Sequence, residues 1–358
     1  MRKTHAYISL INLDHNIRTI QQLNGSERLI LMIKANAYGH GLVPIANHIK
    51  GKCDCLGVAI PEEAVILRNA EIEQNILVLE GFFDRDDLVY FIENRIWTVI
   101  HNYHQLDILI QNPELIPEKI FIKFDTGMNR LGFQPSEAEA LIAKLATITN
   151  RQNLVAMTHL GNADFGNDQR TWSQTDQLES ILKKQALDNS IKNSPALASL
   201  KHLSNSWSRI GLMLYGADPM SVPLDNGGLS LKPVMSLKAP IMAIRTAKQG
   251  EAVGYGNHWI APKDTTIATV AIGYADGYPR ITANGSPVYI NGQIAPLAGR
   301  VSMDMLTVDV SDIEAVKIGD MVELWGKNIP VETIASAAMT SNYELLSRIG
   351  ERVPRYYE

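Results

Sequence analysis

The sequence predicts an α/β protein with an N-terminal (β/α)8 TIM barrel and a C-terminal β-rich domain. From Leu29 onward, eight short apolar runs alternate with longer segments of helical spacing, a pattern typical of βα units around a parallel sheet. After about Leu224, Gly, Pro and Asn turns separate β-rich segments that have no helices between them. A chain of 358 residues also exceeds the roughly 250–300 residues at which single cores stop growing. We therefore predict a barrel over residues 1–225 and a second domain over 226–358, with the linker in DNGG at 225–228.

The apolar runs and the segments between them give the individual elements. The predicted barrel strands are LILMI (29–33), CLGVAI (55–60), NILVLE (75–80), WTVIH (97–101), IFIKFD (120–125), LVAMTHL (154–160), LASLKHL (197–203) and IGLMLYG (210–216). Helices are predicted at 61–70, 84–95, 135–148 and 172–187. Only residues 204–209 separate the last two runs, which is too short for a crossover helix. In the second domain, strands are predicted within 236–247, 265–275, 287–292, 304–310 and 321–326, followed by a helical tail.

Composition excludes several classes of partner. The formal net charge is −5 with no run of Lys or Arg, which argues against nucleic acid and anionic membranes and leaves small molecules and other protein chains. The N-terminus lacks the apolar core of a signal peptide, and no run approaches the roughly 18 apolar residues of a membrane span, so we expect a cytoplasmic protein. Cys53 and Cys55 are two positions apart, which suits neither a disulfide framework nor a metal site.

Lys34 is an unusual residue at the end of an apolar strand. A buried ammonium is costly unless it is paired or neutralised, and lysines in such places form Schiff bases. Tyr38, Gly39 and Gly41 follow, and the glycines could let backbone approach an anionic group where the next helix starts. From these residues alone, a lysine whose charge simply reaches solvent remains an equal alternative.

Other polar residues lie at the predicted carboxyl ends of the strands, where barrel enzymes carry their chemistry. They are Glu80, His101, Lys123, Asp125, His159, Asn205 and Ser206. Asn205 and Ser206 follow the predicted seventh strand and Gly211 lies in the eighth, the region where many barrels bind phosphate. A Schiff-base lysine beside a phosphate site indicates pyridoxal 5'-phosphate. Arg209 is a candidate partner for its ring nitrogen, with a rim ion pair as the alternative.

Six motifs occur in order along nearly the whole chain. They are KANAYGHG (34–41), KFDTGMNRLGF (123–133), MTHL (157–160), SNS (204–206), GYADGYPR (273–280) and GRVSMDM (299–305). This set resembles the bacterial alanine racemases, pyridoxal-phosphate enzymes of fold type III. The resemblance implies a homodimer with shared active sites that interconverts L- and D-alanine by a two-base mechanism on a pyridoxal phosphate aldimine, supplying D-alanine for peptidoglycan synthesis.

The resemblance also assigns roles to individual residues. Lys34 would carry the cofactor and act as the base on one face of the substrate, and Tyr255 of the second subunit would act on the other. Lys123 matches a lysine that many members carry as a carbamate, and His202 matches a partner of the ring-nitrogen arginine. The cofactor contacts would be Tyr38, Arg130, His159, Asn205, Ser206, Arg209, Gly211, Leu212 and Tyr343. The substrate contacts would be Arg130, Tyr274, Met303 and Asp304, and no metal is expected.

One departure from the family and three rival functions remain open at this stage. The family has a longer segment between the counterparts of Ser206 and Arg209, so we expect a segment to be missing here. A non-catalytic pyridoxal phosphate carrier would consist of a barrel alone, and a two-domain decarboxylase would want a cysteine in the second domain. Racemases of serine or of broad specificity are the nearest alternatives.

Overall fold

The structure of the chain is a computed structural model that describes residues 2–166, 168–200, 202–222 and 228–358. The predicted boundary between residues 225 and 226 lies outside these ranges. The strands are β1 (His5–Ile8), β2 (Arg28–Met32), β3 (Cys55–Val58), β4 (Ile76–Val78), β5 (Ile96–Ile100), β6 (Ile120–Lys123), β7 (Leu154–Met157), β8 (Asp188–Ser190), β9 (Trp207–Ile210), β10 (Met235–Ala247), β11 (Thr265–Val270), β12 (Pro287–Ile290), β13 (Gln293–Pro296), β14 (Leu306–Asp309), β15 (Met321–Trp325) and β16 (Arg355–Tyr357).

The helices alternate with the strands of the first sheet and recur near the C-terminus. They are α1 (Leu10–Asn24), α2 (Lys34–Tyr38), α3 (Leu42–His48), α4 (Pro61–Asn69), α5 (Arg85–Glu93), α6 (Tyr103–Gln111), α7 (Ala138–Leu145), α8 (Gln169–Gln185), α9 (Ser194–Ser199), α10 (Val331–Ala337) and α11 (Asn342–Ser347). Local caps start several of them. The Asp84 carboxylate, for example, accepts hydrogen bonds of 2.9 Å from the amides of Asp86 and Asp87 at the start of α5. In the part of the chain that the structure describes, no helix is both long and apolar enough to cross a membrane.

The first sheet is the predicted parallel barrel. Its strands follow the order β8-β7-β6-β5-β4-β3-β2-β9, and every neighbouring pair is parallel. Backbone hydrogen bonds from Ser206 to Asn189 (3.2 Å) and from Arg209 to Lys192 (2.9 Å) join β8 to β9 and complete the ring. The strands are almost entirely buried because helices cover the outside of the sheet. The predicted fold class is confirmed.

Six of the eight predicted barrel strands are confirmed, and the last two are wrong. The run 197–203 begins within α9 and the run 210–216 lies mostly in a 3-10 turn, Leu212–Tyr215, whereas the real strands are β8 and β9. The strand β8 has no apolar residue. Its buried polar side chains make hydrogen bonds inside the barrel instead, and the Ser190 hydroxyl, for example, donates to the Trp207 carbonyl at 2.7 Å. Since α9 lies between β8 and β9, the crossover has its helix, and no missing segment is needed to explain the interval after Ser206.

The second sheet contains strands from both ends of the chain. Its order is β13-β12-β15-β10-β1-β16, and β11 joins β10 to β14. The N-terminal strand β1 pairs antiparallel with β10 and parallel with β16, so it belongs to the β-rich sheet rather than to the barrel. The predicted helical tail is confirmed in α10 and α11, but the strand β16 follows it.

A buried ion pair links the barrel strands near β2 and β9. The Lys192 ammonium lies 2.6 Å from the Glu27 carboxylate, and the Lys192 side chain is only 5% exposed. The other oxygen of Glu27 accepts hydrogen bonds from Asn205 (3.0 Å) and Ser208 (2.9 Å). The carboxylate therefore neutralises the lysine and satisfies two neighbouring donors.

Glu27→Gln should lower the free energy of unfolding by about 3 kcal/mol, because it leaves the buried Lys192 ammonium without a counter-charge. Chemical denaturation at one fixed protein concentration measures this. Glu179→Gln is the matched control, because it removes the exposed pair with Lys183 and should change the free energy by less than about 0.5 kcal/mol. Equal effects of the two substitutions would show that burial does not decide the strength of the first pair.

Candidate active site

A cavity of about 720 Å³ lies at the carboxyl ends of the barrel strands, where it meets α11 of the second domain. We call it the barrel-mouth cavity. Its lining includes Lys34 and Tyr38 after β2, Lys123 at the end of β6, and Arg209 in β9. The complete lining is Met32, Lys34, Ala35, Tyr38, Ala59, Leu79, Glu80, Lys123, Arg130, Leu131, Met157, His159, Asn193, Ser194, Arg209, Gly211, Leu212, Ser341, Tyr343, Glu344 and Ser347.

Lys34 enters this cavity from a left-handed turn. Ala35, Asn36, Ala37 and Tyr38 have φ between 50° and 55°, a region that residues with a Cβ rarely adopt. The Glu63 carboxylate holds the start of the turn, because its two oxygens accept from the amides of Ala35 (2.6 Å) and Ala59 (2.8 Å). The turn thus fixes the point at which the lysine side chain leaves the backbone.

Gly39 and Gly41 make room for the second domain, and neither lines the barrel-mouth cavity. A Cβ on Gly39 would lie 2.0 Å from the Leu346 carbonyl oxygen, and a Cβ on Gly41 would lie 2.0 Å from the Tyr357 hydroxyl. Both glycines also have positive φ, 79° and 103°. Only glycine allows this approach.

The cavity has an excess of positive charge. Lys34, Lys123, Arg130 and Arg209 line it, and among the described residues no carboxylate lies within 4.0 Å of these four side chains. Burial and then the Arg130 charge lower the pKa of Lys34, against the opposing effect of nearby carboxylates. Burial, Arg130 and Arg209 lower the pKa of Lys123 to about 8. Such a lining suits a ligand that carries several negative charges.

Arg209 and His159 lie side by side in the lining of the cavity. Arg209 donates to the Ser190 hydroxyl at 2.5 Å and to the Thr158 carbonyl at 2.7 Å. The His159 Nδ1 atom lies 3.5 Å from its guanidinium. Burial lowers the pKa of Arg209 to about 10, so it stays charged at neutral pH. Burial and then the Arg209 charge lower the pKa of His159 well below its usual value, which keeps the imidazole neutral.

Tyr38, Ser194 and Gly211 meet on one wall of the cavity. A Cβ on Gly211 would lie 2.4 Å from the Tyr38 hydroxyl, and the Gly211 amide donates to the Ser194 hydroxyl at 3.1 Å. The Tyr38 ring stacks on Tyr215 at 4.8 Å and lies 6.0 Å from Tyr343. Hydroxyls and a glycine backbone that converge in this way can surround a phosphate group.

Comparison with known proteins supplies the family. The Alanine racemase, N-terminal domain, profile matches residues 8–219, and the Alanine racemase, C-terminal domain, profile matches residues 234–357. The chain belongs to the alanine racemase family. Members are pyridoxal-phosphate-dependent isomerases, so the predicted enzyme class and cofactor are confirmed.

Full-length relatives support this membership. An alanine racemase of Xanthomonas axonopodis pv. citri is 42% identical over 357 residues, which cover 100% of this chain and 97% of the relative. One of Vibrio cholerae is 40% identical over 358 residues and 99% of its length. The crystal structure of biosynthetic alanine racemase from Pseudomonas aeruginosa has a TM-score of 0.95 at 38% identity. The structure of alanine racemase from Acinetobacter baumannii has a TM-score of 0.94 at 36% identity, and both chains are fully covered in each case.

The sequence-based placement of Asn205 and Ser206 is wrong. They precede β9 instead of following a strand, and neither lines the barrel-mouth cavity. The Asn205 side chain is occupied by Glu27 and Ser208. His202 is exposed, and Ser190 and Thr158 occupy the Arg209 guanidinium instead.

Asn193 and Ser194 occupy the place expected for Asn205 and Ser206. Both line the cavity at the start of α9. Between residues 188 and 206 the chain contains three Asn-Ser pairs, at 189–190, 193–194 and 205–206, and the prediction used the last of them. The signal that could have found the right pair is the Asn-Ser-Pro start of a helix, since the Asn193 side chain caps α9 by accepting from the Ala196 amide at 3.1 Å.

Among the residues assigned to the second domain, Tyr343 lines this cavity, whereas Tyr255, Tyr274, Met303 and Asp304 lie outside it. Tyr255 is 68% exposed, Met303 is 53% exposed and Tyr274 is 38% exposed. Tyr274 and Met303 belong to adjoining loops, because backbone hydrogen bonds tie residues 274 and 275 to 302 and 303. Asp304 binds Arg352 at 2.6 Å. In a single chain, none of these four side chains lines the cavity that holds Lys34.

His40 supports the turn from behind. It is fully buried, and its Nδ1 atom lies 2.8 Å from the Tyr38 carbonyl oxygen and 3.0 Å from that of Ala37. Because both neighbours are acceptors, Nδ1 carries a proton and donates. Burial lowers the pKa of His40 to about 4, so the ring is neutral in the folded protein.

The folded-state pKa of His40 lies below its unfolded value near 6.5, so its neutral form stabilises the fold above pH 6.5 and this contribution is lost as the pH falls toward 4. His40→Asn keeps a donor but removes this titration. From pH 7 to pH 4.5 the free energy of unfolding should fall in both proteins. In His40→Asn we expect this fall to be smaller than in the wild type by roughly 2–3 kcal/mol. Denaturation curves at both pH values test this, and His104→Asn, at an exposed histidine, should retain the wild-type difference. An unchanged difference in His40→Asn would contradict the assignment.

Proposed function

We propose that this chain interconverts L- and D-alanine by moving the α-proton between Lys34 on one face of the substrate and Tyr255 of a second copy on the other. The observation that carries the proposal is the Lys34 amine, which lies among other cations with a lowered pKa at the mouth of a barrel. An amine must be neutral to accept a proton, and this environment favours that form. The names of the full-length relatives give alanine as the substrate.

The cavity fits pyridoxal 5'-phosphate. Lys34 would bond its aldehyde carbon, and Tyr38, Ser194, Gly211, Leu212 and Tyr343 would surround its phosphate. Asn193 lies beside them and takes the part first given to Asn205. The close contact between Gly211 and the Tyr38 hydroxyl supports this, as does the excess of cations. When bound, the cofactor withdraws electrons from the substrate α-carbon and makes its proton removable.

Arg209 sets how strongly that withdrawal acts. Its guanidinium is held by Ser190 and Thr158 and remains charged at neutral pH. Because arginine can only donate, it would leave the pyridine nitrogen without a proton. His159 is in contact with Arg209. It would lie between the Arg209 charge and the Tyr255 phenol of the second copy, and that positive charge would favour the phenolate form of Tyr255.

Arg130 would bind the substrate carboxylate, and the charge of Lys123 would decide whether Arg130 is held there; both residues line the cavity. A charged Lys123 would repel Arg130. The Arg130 charge already helps to lower the pKa of the Lys123 amine to about 8. A neutral amine can add carbon dioxide and release a proton. We infer that Lys123 is a carbamate, which would pair with Arg130 through charge-assisted hydrogen bonds.

The second face of the substrate requires a homodimer. Tyr255, Met303 and Tyr274 are exposed and absent from the cavity of their own chain, which supports their use in the cavity of a partner. Met303, Tyr274 and Asp304 would then line the substrate pocket and its entrance. The description of the Pseudomonas aeruginosa structure as a biosynthetic enzyme supports a biosynthetic use of the D-alanine formed here. We expect that use to be the supply of D-alanine for peptidoglycan, in the cytoplasm.

Protein incubated with L-alanine in deuterated water should form D-alanine that carries deuterium at the α-carbon, because the returning proton comes from a base in exchange with solvent. Lys34→Ala should remove racemisation entirely. Tyr255→Phe should lower it by at least about a thousandfold, since one of the two bases is lost. Bound cofactor without any α-deuterium, with either alanine or serine, would contradict the proposal.

Mixing Lys34→Ala and Tyr255→Phe subunits should restore about a quarter of the wild-type activity. Half of the randomly assembled dimers are mixed, and each mixed dimer has one site with both bases intact. Subunits are exchanged under mild denaturant and assayed after dilution. No recovery would mean that Tyr255 serves its own chain, and Lys34→Ala mixed with Lys34→Ala is the control.

A further inference from the structure

The turn that carries Lys34 is held by two residues of β16 that do not line the cavity. Arg355 Nε donates to the Gly39 carbonyl at 3.0 Å, and the Tyr357 hydroxyl donates to the His40 carbonyl at 2.9 Å. These carbonyls directly follow the left-handed residues 35–38. The two contacts therefore fix the exit of a turn whose entrance is fixed by Glu63.

The Arg355 guanidinium is itself immobilised. It donates to the carbonyls of Ile349 (2.6 Å), Gly350 (2.9 Å) and Val353 (3.0 Å), so its planar fork bridges the segment after α11 and the turn. Arginine can make these contacts at once because its donors point in fixed directions. The segment that follows α11 and the turn that carries Lys34 thus share one support.

The strand β16 is in turn anchored by the beginning of the chain. It pairs with β1 in register, with Ala6 opposite Arg355 and Ile8 opposite Tyr357. Backbone hydrogen bonds from Leu10 to Glu358 (2.7 Å) and from Glu358 to Ile8 (3.1 Å) extend this pairing to the last residue. The donors of Arg355 and Tyr357 therefore come from a fixed sheet rather than from a loose tail.

We propose that Arg355 and Tyr357 are positioning residues that hold the left-handed turn, and through it Lys34, at the barrel-mouth cavity. Neither residue lines that cavity, so both act through the backbone of Gly39 and His40. The catalytic consequence rests on the proposed role of Lys34 as a base. A small displacement of a reacting group lowers the rate of the chemical step far more than it lowers substrate binding.

The test compares Tyr357→Phe with Tyr356→Phe in the protein saturated with pyridoxal 5'-phosphate. The first removes one hydroxyl and keeps the ring, and the second removes a hydroxyl from the neighbouring, 54% exposed tyrosine. In Tyr357→Phe the amides of Gly39 and Gly41, which close the turn, should exchange with deuterium roughly five- to tenfold faster. The kcat for alanine should fall about tenfold while KM changes by less than about twofold. Tyr356→Phe should match the wild type in both measurements.

Three results would overturn the proposal: unchanged exchange of the turn in Tyr357→Phe, equal changes in both variants, or a loosened turn with unchanged kcat. A urea unfolding curve of each variant separates local loosening from a general loss of stability, because only the former leaves the curve in place. If the wild-type protein does not racemise alanine, the proposed function fails on its own. The exchange comparison then still decides whether Tyr357 holds the turn.

Discussion

The left-handed turn from Ala35 to Tyr38 is the constraint on which the site depends. Four consecutive residues with a Cβ are held at positive φ, a conformation that each of them disfavours. Glu63, His40 and β16 hold it from three directions, and these supports come from a barrel helix, from the end of the motif itself and from the second sheet. The orientation of Lys34 is thus a property of both domains.

The arrangement of charges around Lys34 follows from the same placement. Lys123, Arg130 and Arg209 reach the cavity from different strands and loops, and they raise the free energy of any further positive charge there. The protein tolerates this repulsion because the barrel strands that carry these residues are stabilised by an apolar core elsewhere. A negatively charged ligand would relieve it. This excess of positive charge is typical of a site that binds an anionic cofactor.

Sequence patterns predicted the barrel and the β-rich domain, and together with the family resemblance they singled out most of the charged residues that line the cavity. Apolar strands such as β2 and β6 are recognisable because burial on both faces leaves a continuous hydrophobic run. The strand β8 was missed because its buried residues are satisfied by hydrogen bonds instead of apolar contacts. As a consequence, the next strand was predicted at 210–216 instead of at β9, and Asn205 and Ser206 were assigned to the site in place of Asn193 and Ser194. The pairing of β1 with β16 had no local signal, since its two partners lie at opposite ends of the chain.

The position of β16 has a consequence for how the protein matures. A barrel can fold as a unit while the rest of the chain is still being synthesised. The strand β16 lies after all of the barrel strands in the chain, so a barrel that folds during synthesis has Glu63 and His40 but lacks the remaining support of the Lys34 turn. That support forms only when the second sheet has assembled. A chain with a folded barrel and an unformed second sheet would hold Lys34 by fewer contacts than the complete structure does.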